Sequence, residues 1–364
     1  MNKIIFPMVF LLILLFNQNY AQAETTCSQQ NSGIPPFQLR SVFFVDSNTG
    51  WVVGGGGTVL KTTDGGTTWI QQTSNTSQEL NSVFFVDSST GWAVGDGAFG
   101  VNIIKTVNGG TTWTTINSGF LGTLNSVFFV DSNSGWAVGG DGILHTTNGG
   151  NTWSAQSAFP GSSLDFVDSN TGWAGGGSMV AKTTNGGTTW TPQSTGISIS
   201  INSVDFVDSN TGWVVGSAQR ILKTTDGGTT WTLQNIGFSL DQLRSVDFID
   251  SSTGWVVGYD ALASSNLILK TTDGGTTWTP QTSGTTNFLW SVDFVNSSTG
   301  WTVGVGALIL KCTSSLQNGQ VIGGKIIPIE TTSLILAGAQ IFTWMIPVLV
   351  SGIGIGLIVF RKRI

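Results

Sequence analysis

The sequence predicts an all-β protein, a seven-bladed β-propeller of four-stranded blades closed by its N-terminal strand, plus one C-terminal transmembrane helix. Two repeated motifs lead to this fold class. A Gly-Trp pair occurs seven times, with its tryptophans at Trp51, Trp92, Trp136, Trp173, Trp213, Trp255 and Trp301. An eight-residue box, Thr-Thr-Asp-Gly-Gly-Thr-Thr-Trp at 271–278, occurs six times with small changes and ends at Trp69, Trp113, Trp153, Trp190, Trp231 and Trp278. Successive boxes are 37 to 47 residues apart, which is the period of propeller blades.

Each repeat is interpreted as four strands in chain order. In the fifth repeat, residues 203–207 form the first strand, 208–212 a turn and 213–216 the second strand. The box then supplies the third strand's end and the fourth strand's start, joined by a two-residue hairpin turn at Gly-Gly. The Asp or Asn before Gly-Gly can bond its own backbone, and these residues are Asp64, Asn108, Asn148, Asn185, Asp226 and Asp273. The box Trp is predicted to be an apolar anchor between neighbouring sheets.

The seventh repeat lacks a box, and the N-terminal segment supplies what is missing. Its third strand, 308–312, breaks off without Gly-Gly or Trp, whereas residues 27–33 resemble the segment that follows a box. Cys27 stands where a box Trp is expected, and Cys312 stands where a box begins with Thr. These two positions face each other in a hairpin, with Cβ atoms about 5 Å apart. We therefore predict a Cys27–Cys312 disulfide that closes the ring, which an oxidising exterior permits.

The two ends of the chain predict export and membrane anchoring. Residues 1–23 have the charged start, apolar run and Ala-x-Ala site of a signal peptide, and the propeller is expected over 24–316. Residues 317–340 are interpreted as a stalk. Residues 341–360 carry no charge and are long enough for a transmembrane helix, and the basic tail 361–364 is expected in the cytoplasm. The propeller is then expected outside the cell membrane.

Composition argues against nucleic acid as a partner and against common catalytic sites. Outside the terminal segments, acidic residues outnumber basic ones, and phosphate binding needs the opposite balance. His145 is the only histidine, so a Ser-His-Asp triad or a His-rich zinc site has no other histidine to use. It occupies a position that is Lys in the other repeats, where we predict a structural contact to an Asp of the same blade. No cofactor, no metal and no enzymatic activity are expected.

Short acidic turns give a superficial calcium pattern. Asp46 begins one such turn, and its counterparts are Asp87, Asp131, Asp168, Asp208 and Asp250. Each turn offers too few side-chain oxygens for the six to eight ligands of Ca²⁺. We therefore favour hairpin loops. The segments 75–77 and 296–298, each starting with Asn, match the N-glycosylation acceptor pattern.

The residue before the Ser that begins each first strand is a candidate for recognition. These residues are Arg40, Asn81, Asn125, Ser162, Asn202, Arg244 and Trp290. They are predicted to form a polar ring with one aromatic residue at a propeller face, a composition suited to binding. All of them except Ser162 are the candidate binding residues, with Arg40, Arg244 and Trp290 the leading three.

A second series lies two places after that Ser. It runs Phe43, Phe84, Phe128, Asp165, Asp205, Asp247 and Asp293, so three repeats carry an aromatic ring and four carry an acid. Two interpretations remain open. The aspartates bind a ligand, or, as we favour, they accept hydrogen bonds from amides of neighbouring blades.

The boxes resemble the Asp-box of bacterial neuraminidase repeats, and the full unit from Gly-Trp-Val-Val-Gly to the box resembles the photosystem II stability/assembly factor family of seven-bladed propellers. The resemblance covers about residues 27–313. It implies a propeller whose partner is a newly made reaction-centre subunit bound at an arginine-rich face, whereas this chain has two arginines in the ring.

The predicted function is a non-catalytic, membrane-anchored extracellular propeller that binds a protein or assists assembly of an envelope complex. The alternative is a surface glycan-binding or sialidase-like glycoside hydrolase propeller. A sialidase needs three arginines, a Tyr nucleophile and acids, and the positions of Arg40, Arg220 and Arg244 give no reason to expect them to converge. The only candidates for the other roles are Tyr259 and Glu79.

Overall fold

A computed structural model describes residues 24–97, 101–218, 220–237, 242–260, 265–315, 319–322 and 325–328. The predicted signal peptide 1–23, transmembrane helix 341–360 and basic tail 361–364 lie outside the described residues. Within the described residues, no helix has the length and apolar character needed to cross a membrane. The chain divides into two compact units, one of residues 23–315 and one of residues 1–22 with 316–364.

The larger unit contains seven four-stranded antiparallel sheets, as the sequence predicts. Blade 1 has strands β2 (Leu39–Phe44), β3 (Gly50–Gly54), β4 (Thr58–Thr62) and β5 (Ile70–Gln71), with a 3₁₀ turn at Gly55–Gly57. Blade 2 has β6 (Leu80–Phe85), β7 (Gly91–Gly95), β8 (Val101–Thr106) and β9 (Thr114–Asn117). Blade 3 has β10 (Leu124–Phe129), β11 (Gly135–Gly139), β12 (Gly142–Thr146) and β13 (Ser154–Ser157).

The remaining blades follow the same order. Blade 4 has β14 (Ser163–Phe166), β15 (Gly172–Gly176), β16 (Met179–Thr183) and β17 (Thr191–Ser194). Blade 5 has β18 (Ile201–Phe206), β19 (Gly212–Gly216), β20 (Ile221–Thr224) and β21 (Thr232–Gln234). Blade 6 has β22 (Gln242–Phe248), β23 (Gly254–Asp260), β24 (Ser265–Thr271) and β25 (Thr279–Gln281).

Blade 7 is completed by the N-terminal strand. It contains β26 (Leu289–Asn296), β27 (Thr299–Gly304), β28 (Leu308–Ser315) and β1 (Glu24–Gln30), in the spatial order β1-β28-β27-β26. Cys27 pairs with Cys312 in the β1–β28 register, and their sulfur atoms form a disulfide. The first strands pack side by side in a full circle, from β2 around to β26 and back to β2. The predicted closure is confirmed.

The smaller unit is described only at a hairpin of β29 (Gly319–Ile322) and β30 (Lys325–Pro328). It lies within the predicted stalk 317–340, the rest of which is outside the described residues.

The core between blades is built from one repeated aromatic contact. Each Gly-Trp tryptophan is fully buried and stacks on a Phe from the first strand of the following blade, as Trp213 does on Phe248 with ring centroids 3.4 Å apart. The seventh copy, Trp301 on Phe44, joins blade 7 to blade 1 at the same 3.4 Å. The Gly of the pair is required because a Cβ at Gly212 would lie 2.3 Å from the Phe206 ring.

The box differs from the predicted two-residue hairpin. Strand pairing stops at Lys270 and Thr279, although Gly274 and Gly275 do have the expected positive φ angles of 71° and 94°. The residues between form a loop closed by the Asp273 carboxylate, which accepts hydrogen bonds from the Thr277 amide at 2.9 Å and the Thr277 hydroxyl at 2.7 Å. Side-chain bonds thus replace the ladder bonds that a tight hairpin would use.

The repeated basic position makes a structural contact, but its partner differs from the predicted Asp of the same blade. Lys223 Nζ lies 5.1 Å from the centroid of the Trp213 ring and donates a 2.8 Å bond to the Gly274 carbonyl of the next box. In blade 3, the His145 ring stacks on Trp136 at 4.7 Å, and burial lowers the pKa of His145. The carboxylate that acts on Lys223 belongs to the next box, because the charge of Asp273 there opposes the lowering of the Lys223 pKa that burial causes.

Because successive strands of a blade run in opposite directions, the loops divide between two faces. One face carries the turns between second and third strands and the connections between blades, and we call it the ring face. The opposite face carries the boxes and the turns between first and second strands, and we call it the box face. The seven residues of the predicted ring, including the six candidate binding residues, lie where the first strands begin, at the ring face.

Candidate functional site

The first strands surround the central channel, and serine hydroxyls link them. Ser41 Oγ accepts a hydrogen bond from the Val83 amide of the next blade at 3.2 Å, and Ser291 Oγ accepts one from the Val42 amide at 3.3 Å across the closing seam. The same bond recurs at Ser82, Ser126, Ser163, Ser203 and Ser245. The ring residues therefore lie on first strands whose positions relative to the neighbouring first strands are fixed by hydrogen bonds.

The second series confirms the structural interpretation of the aspartates. Asp165, Asp205, Asp247 and Asp293 each accept a hydrogen bond from a Phe amide of the following blade, at 2.6 to 2.8 Å. In the first blades, the rings of Phe43 and Phe84 lie 4.7 Å apart and those of Phe84 and Phe128 4.8 Å apart. Both halves of the series therefore join neighbouring blades.

The acidic turns also use their carboxylates internally. Asp46 Oδ1 accepts hydrogen bonds from the amides of Asn48 at 2.7 Å and Thr49 at 2.8 Å. Its counterparts at Asp87, Asp131, Asp168, Asp208 and Asp250 accept the same pair of amides. Within the described residues, no cluster of His, Cys, Asp and Glu is arranged to hold a metal ion.

Three of the predicted binding residues are joints between blades. Asn81 Nδ2 donates to the Leu124 carbonyl at 3.0 Å, Asn125 Nδ2 to the Gly161 carbonyl at 2.9 Å, and Asn202 Nδ2 to the Leu243 carbonyl at 2.7 Å. Each acceptor belongs to the following blade or to the connection that leads into it. Because their amide groups are occupied in this way, these asparagines are less suited to recognition than their polarity suggests.

The other three predicted binding residues come together. The Arg244 guanidinium carbon lies 4.4 Å from the centroid of the Trp290 ring, and that of Arg40 lies 4.7 Å from the same ring. Blade 7 lies between blades 6 and 1, so Trp290, near the start of its first strand, is within reach of both arginines. Of the three arginines considered for a sialidase site, Arg40 and Arg244 come together at this ring. We call Arg40, Arg244 and Trp290 the arginine–tryptophan cluster.

The two arginines differ in their electrostatic surroundings. Arg40 forms an ion pair with Glu79, with Nη2 2.7 Å from Oε1, and the two side chains are 27% and 30% exposed. Arg244 Nη2 donates to the Tyr259 hydroxyl at 3.2 Å, and among the described residues no carboxylate pairs with it. Arg244 Nε and Trp290 Nε1 are buried donors without a hydrogen-bond acceptor within the described part of the chain. Among the described residues, the cluster therefore has two buried donors without acceptors and one arginine, Arg244, that no carboxylate pairs with.

Sequence reasoning missed the neighbours that shape this cluster. Glu79 and Tyr259 were considered only as catalytic groups, yet each holds an arginine of the cluster. Tyr259 in turn stacks on Phe288 with ring centroids 4.4 Å apart. The sequence did contain a signal for these neighbours, because Glu79 immediately precedes a first strand and Phe288 lies two residues before Trp290. Both were therefore at the ring face.

Comparison with known families gives a match over most of the propeller. A family model described as Photosynthesis system II assembly factor YCF48 matches residues 15–99, 160–236, 188–279 and 234–323, which together exceed half of the chain. Among curated proteins, none matches the chain.

Solved structures share the fold. The structure titled "YCF48 bound to D1 peptide" has a TM-score of 0.66 at 21% identity and covers 80% of this chain and 97% of its own. YCF48 from Cyanidioschyzon merolae has a TM-score of 0.65 at 22% identity and covers 79% and 98%. A GH74 enzyme from Niastella koreensis has a TM-score of 0.64 at 17% identity and covers 78% and 53%. At these identities the likeness establishes the propeller architecture alone.

Proposed function

Because this chain belongs to the photosynthesis system II assembly factor YCF48 family, we propose that it is a non-catalytic propeller that binds a protein partner, or assists assembly of an envelope complex, through the arginine–tryptophan cluster. The observation that carries the proposal is the placement of Arg40 and Arg244 against one indole, with Arg244 lacking a carboxylate partner among the described residues. Tryptophan and arginine are the residue types that most often dominate binding energy at protein interfaces.

The chemistry of the cluster favours a partner segment that carries an acidic group. A carboxylate can accept hydrogen bonds from the Arg244 guanidinium, and such charge-assisted bonds are about twice as strong as neutral ones. The Trp290 ring holds the guanidinium in place, which lowers the conformational entropy lost on binding. A member of this family was solved with a D1 peptide, so peptide recognition by a propeller of this kind has a precedent.

The contacts of the cluster give the glycan or sialidase alternative no specific support. Among the described residues, Tyr259 contacts Arg244 and Phe288 and no carboxylate, so it has no general base to activate it as a nucleophile. Glu79 is engaged with Arg40. These groups act as positioning residues for the two arginines.

We further propose that the propeller acts outside the cell membrane and is anchored by residues 341–360. The Cys27–Cys312 disulfide supports an oxidising compartment. In that arrangement the C-terminal segment holds the binding domain close to membrane proteins that are being assembled.

The test is quantitative binding with a matched control. Full-length protein is used to capture its partner from membranes of the source organism, the partner is identified by mass spectrometry, and the affinity is then measured by surface plasmon resonance. The double variant Arg244→Gln/Trp290→Ala is expected to bind at least about 30-fold more weakly, as loss of a central hot spot of 2 kcal/mol or more requires. Arg220→Ala, an arginine outside the cluster, is expected to bind normally. Equal affinity of the double variant and the native protein would overturn the assignment.

A further inference from the structure

We propose that Asn296, in the turn between β26 and β27, is an N-glycosylation site, and that Asn75, which has the same sequence pattern, is not modified. The acceptor pattern Asn-x-Ser/Thr occurs in the sequence at 75–77 and 296–298. The inference rests on the proposed export of the propeller and is independent of the arginine–tryptophan cluster, because the turn lies on the box face.

Blade 7 departs from the other blades at this turn. Six blades begin the turn with Asp, whereas blade 7 has Asn296. The turn is also tighter, since Asn296 pairs directly with Thr299 and only Ser297 and Ser298 lie between the strands. The Ser298 carbonyl is held by the Ser314 amide at 2.8 Å. The result is an ordered, projecting hairpin tip whose three acceptor-pattern residues are all exposed.

The side-chain amide of Asn296 is oriented for reaction at its nitrogen. Its oxygen accepts hydrogen bonds from the Ser298 amide at 2.9 Å and the Ser298 hydroxyl at 2.8 Å. A backbone N–H can only donate, so the accepting atom is the amide oxygen and the other terminal atom is Nδ2. Nδ2 has no partner among the described residues. Donation by the hydroxyl to the amide oxygen draws electron density toward oxygen and makes an Nδ2 proton easier to remove.

Asn75 has the opposite arrangement. Its Nδ2 donates a 2.8 Å hydrogen bond to the Trp113 carbonyl of blade 2, and a carbonyl can only accept, so this assignment of atoms is also fixed. The backbone of Asn75 has a φ of 60°, a left-handed conformation that the surrounding loop maintains. Modification would place a saccharide on the nitrogen that joins Asn75 to blade 2. The two sites thus have the same pattern but differ in whether the reacting nitrogen is available.

The reaction joins Asn296 Nδ2 to the anomeric carbon of an oligosaccharide carried on a polyprenyl phosphate or pyrophosphate lipid. The new N–C bond forms as the bond from the anomeric carbon to the phosphate oxygen breaks. The lipid phosphate leaves with the electron pair, and a base of the transferase takes one amide proton. The product keeps the Asn296 oxygen as the acceptor for Ser298, so the turn retains its hydrogen bonds. The glycan stands on the box face and leaves the ring face open.

The experiment uses the full chain isolated from the organism that makes it, digested and analysed by glycopeptide mass spectrometry. The expected result is a saccharide mass on the peptide that contains Asn296 and an unmodified peptide that contains Asn75. The Ser298→Ala variant is expected to lose the modification, whereas Ser298→Thr retains it. Asn296→Asp, which restores the residue of the other six blades, is expected to fold and to bind the partner with unchanged affinity. An exported protein whose Asn296 peptide is entirely unmodified would overturn the proposal, and a glycan on Asn75 would contradict its selectivity.

Discussion

Trp213 Nε1 donates a 3.2 Å hydrogen bond to the carbonyl oxygen of Gly274, which belongs to the box of the next blade. Trp255 occupies the same position one blade later, but blade 7 has no box, and Trp255 Nε1 is buried without an acceptor among the described residues. Both indoles stack on a Phe of the following blade, at 3.4 and 3.6 Å. The two tryptophans therefore differ mainly in one hydrogen bond.

This difference predicts unequal effects of one substitution. Trp213→Phe keeps much of the stacked ring but removes the bond to Gly274, whereas Trp255→Phe removes a donor that has no acceptor in the described part of the protein. We expect the free energy of unfolding to fall by about 1 kcal/mol more for Trp213→Phe than for Trp255→Phe. Urea denaturation measures the free energy of unfolding of both variants. Equal losses of this free energy would show that the hydrogen bond contributes nothing to stability.

The disulfide should stabilise the closed ring. It joins residues 285 positions apart, so it closes a loop over nearly the whole propeller, and the loop-entropy relation gives about 6 kcal/mol as an upper limit. The double variant Cys27→Ser/Cys312→Ser is expected to melt at a lower temperature than the oxidised native protein. Native protein reduced with dithiothreitol should melt near the variant, and a melting temperature unaffected by either treatment would contradict this role.

The boxes predict a specific loss of stability in acid. Hydrogen bonds from the Thr68 hydroxyl and amide lower the pKa of Asp64 to about 2, and the equivalent bonds from Thr230 lower the pKa of Asp226. A pKa depressed by folding adds stability above the unfolded value of about 3.8, and this is lost as the pH falls toward 2.

Replacing the box Asp by Asn tests this source of acid sensitivity, because other boxes of the protein already have Asn at that position. In blade 3, Asn148 holds its box with Nδ2 donating to the Thr152 hydroxyl at 2.8 Å. The variant Asp64→Asn/Asp226→Asn is therefore expected to fold and to lose less melting temperature between pH 4 and pH 2 than the native protein. If the two proteins lost the same melting temperature between pH 4 and pH 2, the boxes would be ruled out as a source of acid sensitivity.

The seam between blades 7 and 1 depends on an acceptor at Asp293. Its Oδ2 accepts the Phe44 amide at 2.8 Å, so Asp293→Leu leaves a buried donor without that partner, at a cost of about 1 to 3 kcal/mol. Asp293→Asn keeps an oxygen in place and is expected to cost less. Chemical denaturation of both variants distinguishes lost hydrogen bonding from lost charge, because a charge effect would destabilise the Asn variant equally.

The closure could be predicted because it depends on strand register, which the sequence contains. Counting outward from the Gly-Gly centre of a box places Cys27 opposite Cys312, and the structure has that pair. A further signal was present, since Gln30 follows Cys27 by three residues as Gln72 follows Trp69. Both glutamines approach a box Gly of the next blade, with Oε1 3.4 Å from a Cβ built on Gly66 and 3.3 Å from one built on Gly110. Repeat periodicity therefore predicts contacts that lie within a blade or recur at every junction.

The candidate site was predictable in position but not in its contacts. The sequence placed Arg40 and Arg244 at equivalent points of first strands, yet their common approach to Trp290 depends on side-chain length and on the angle between blades. The same angle decides that Asn81 reaches the Leu124 carbonyl across the junction. Periodicity carries no information about that angle, so the distinction between joining and binding residues required the structure.

Closure by β1 also imposes an order on how the molecule matures. Strand β1 precedes every other strand of the propeller in the chain, and its partner β28 follows all of them. Contacts so distant along the chain form slowly, because the loop between them must close first. Cys27 is therefore synthesised as an unpaired thiol and can form its disulfide only after Cys312 has been synthesised. A chain that terminates before Cys312 therefore retains a free thiol at Cys27, which distinguishes it chemically from the closed propeller.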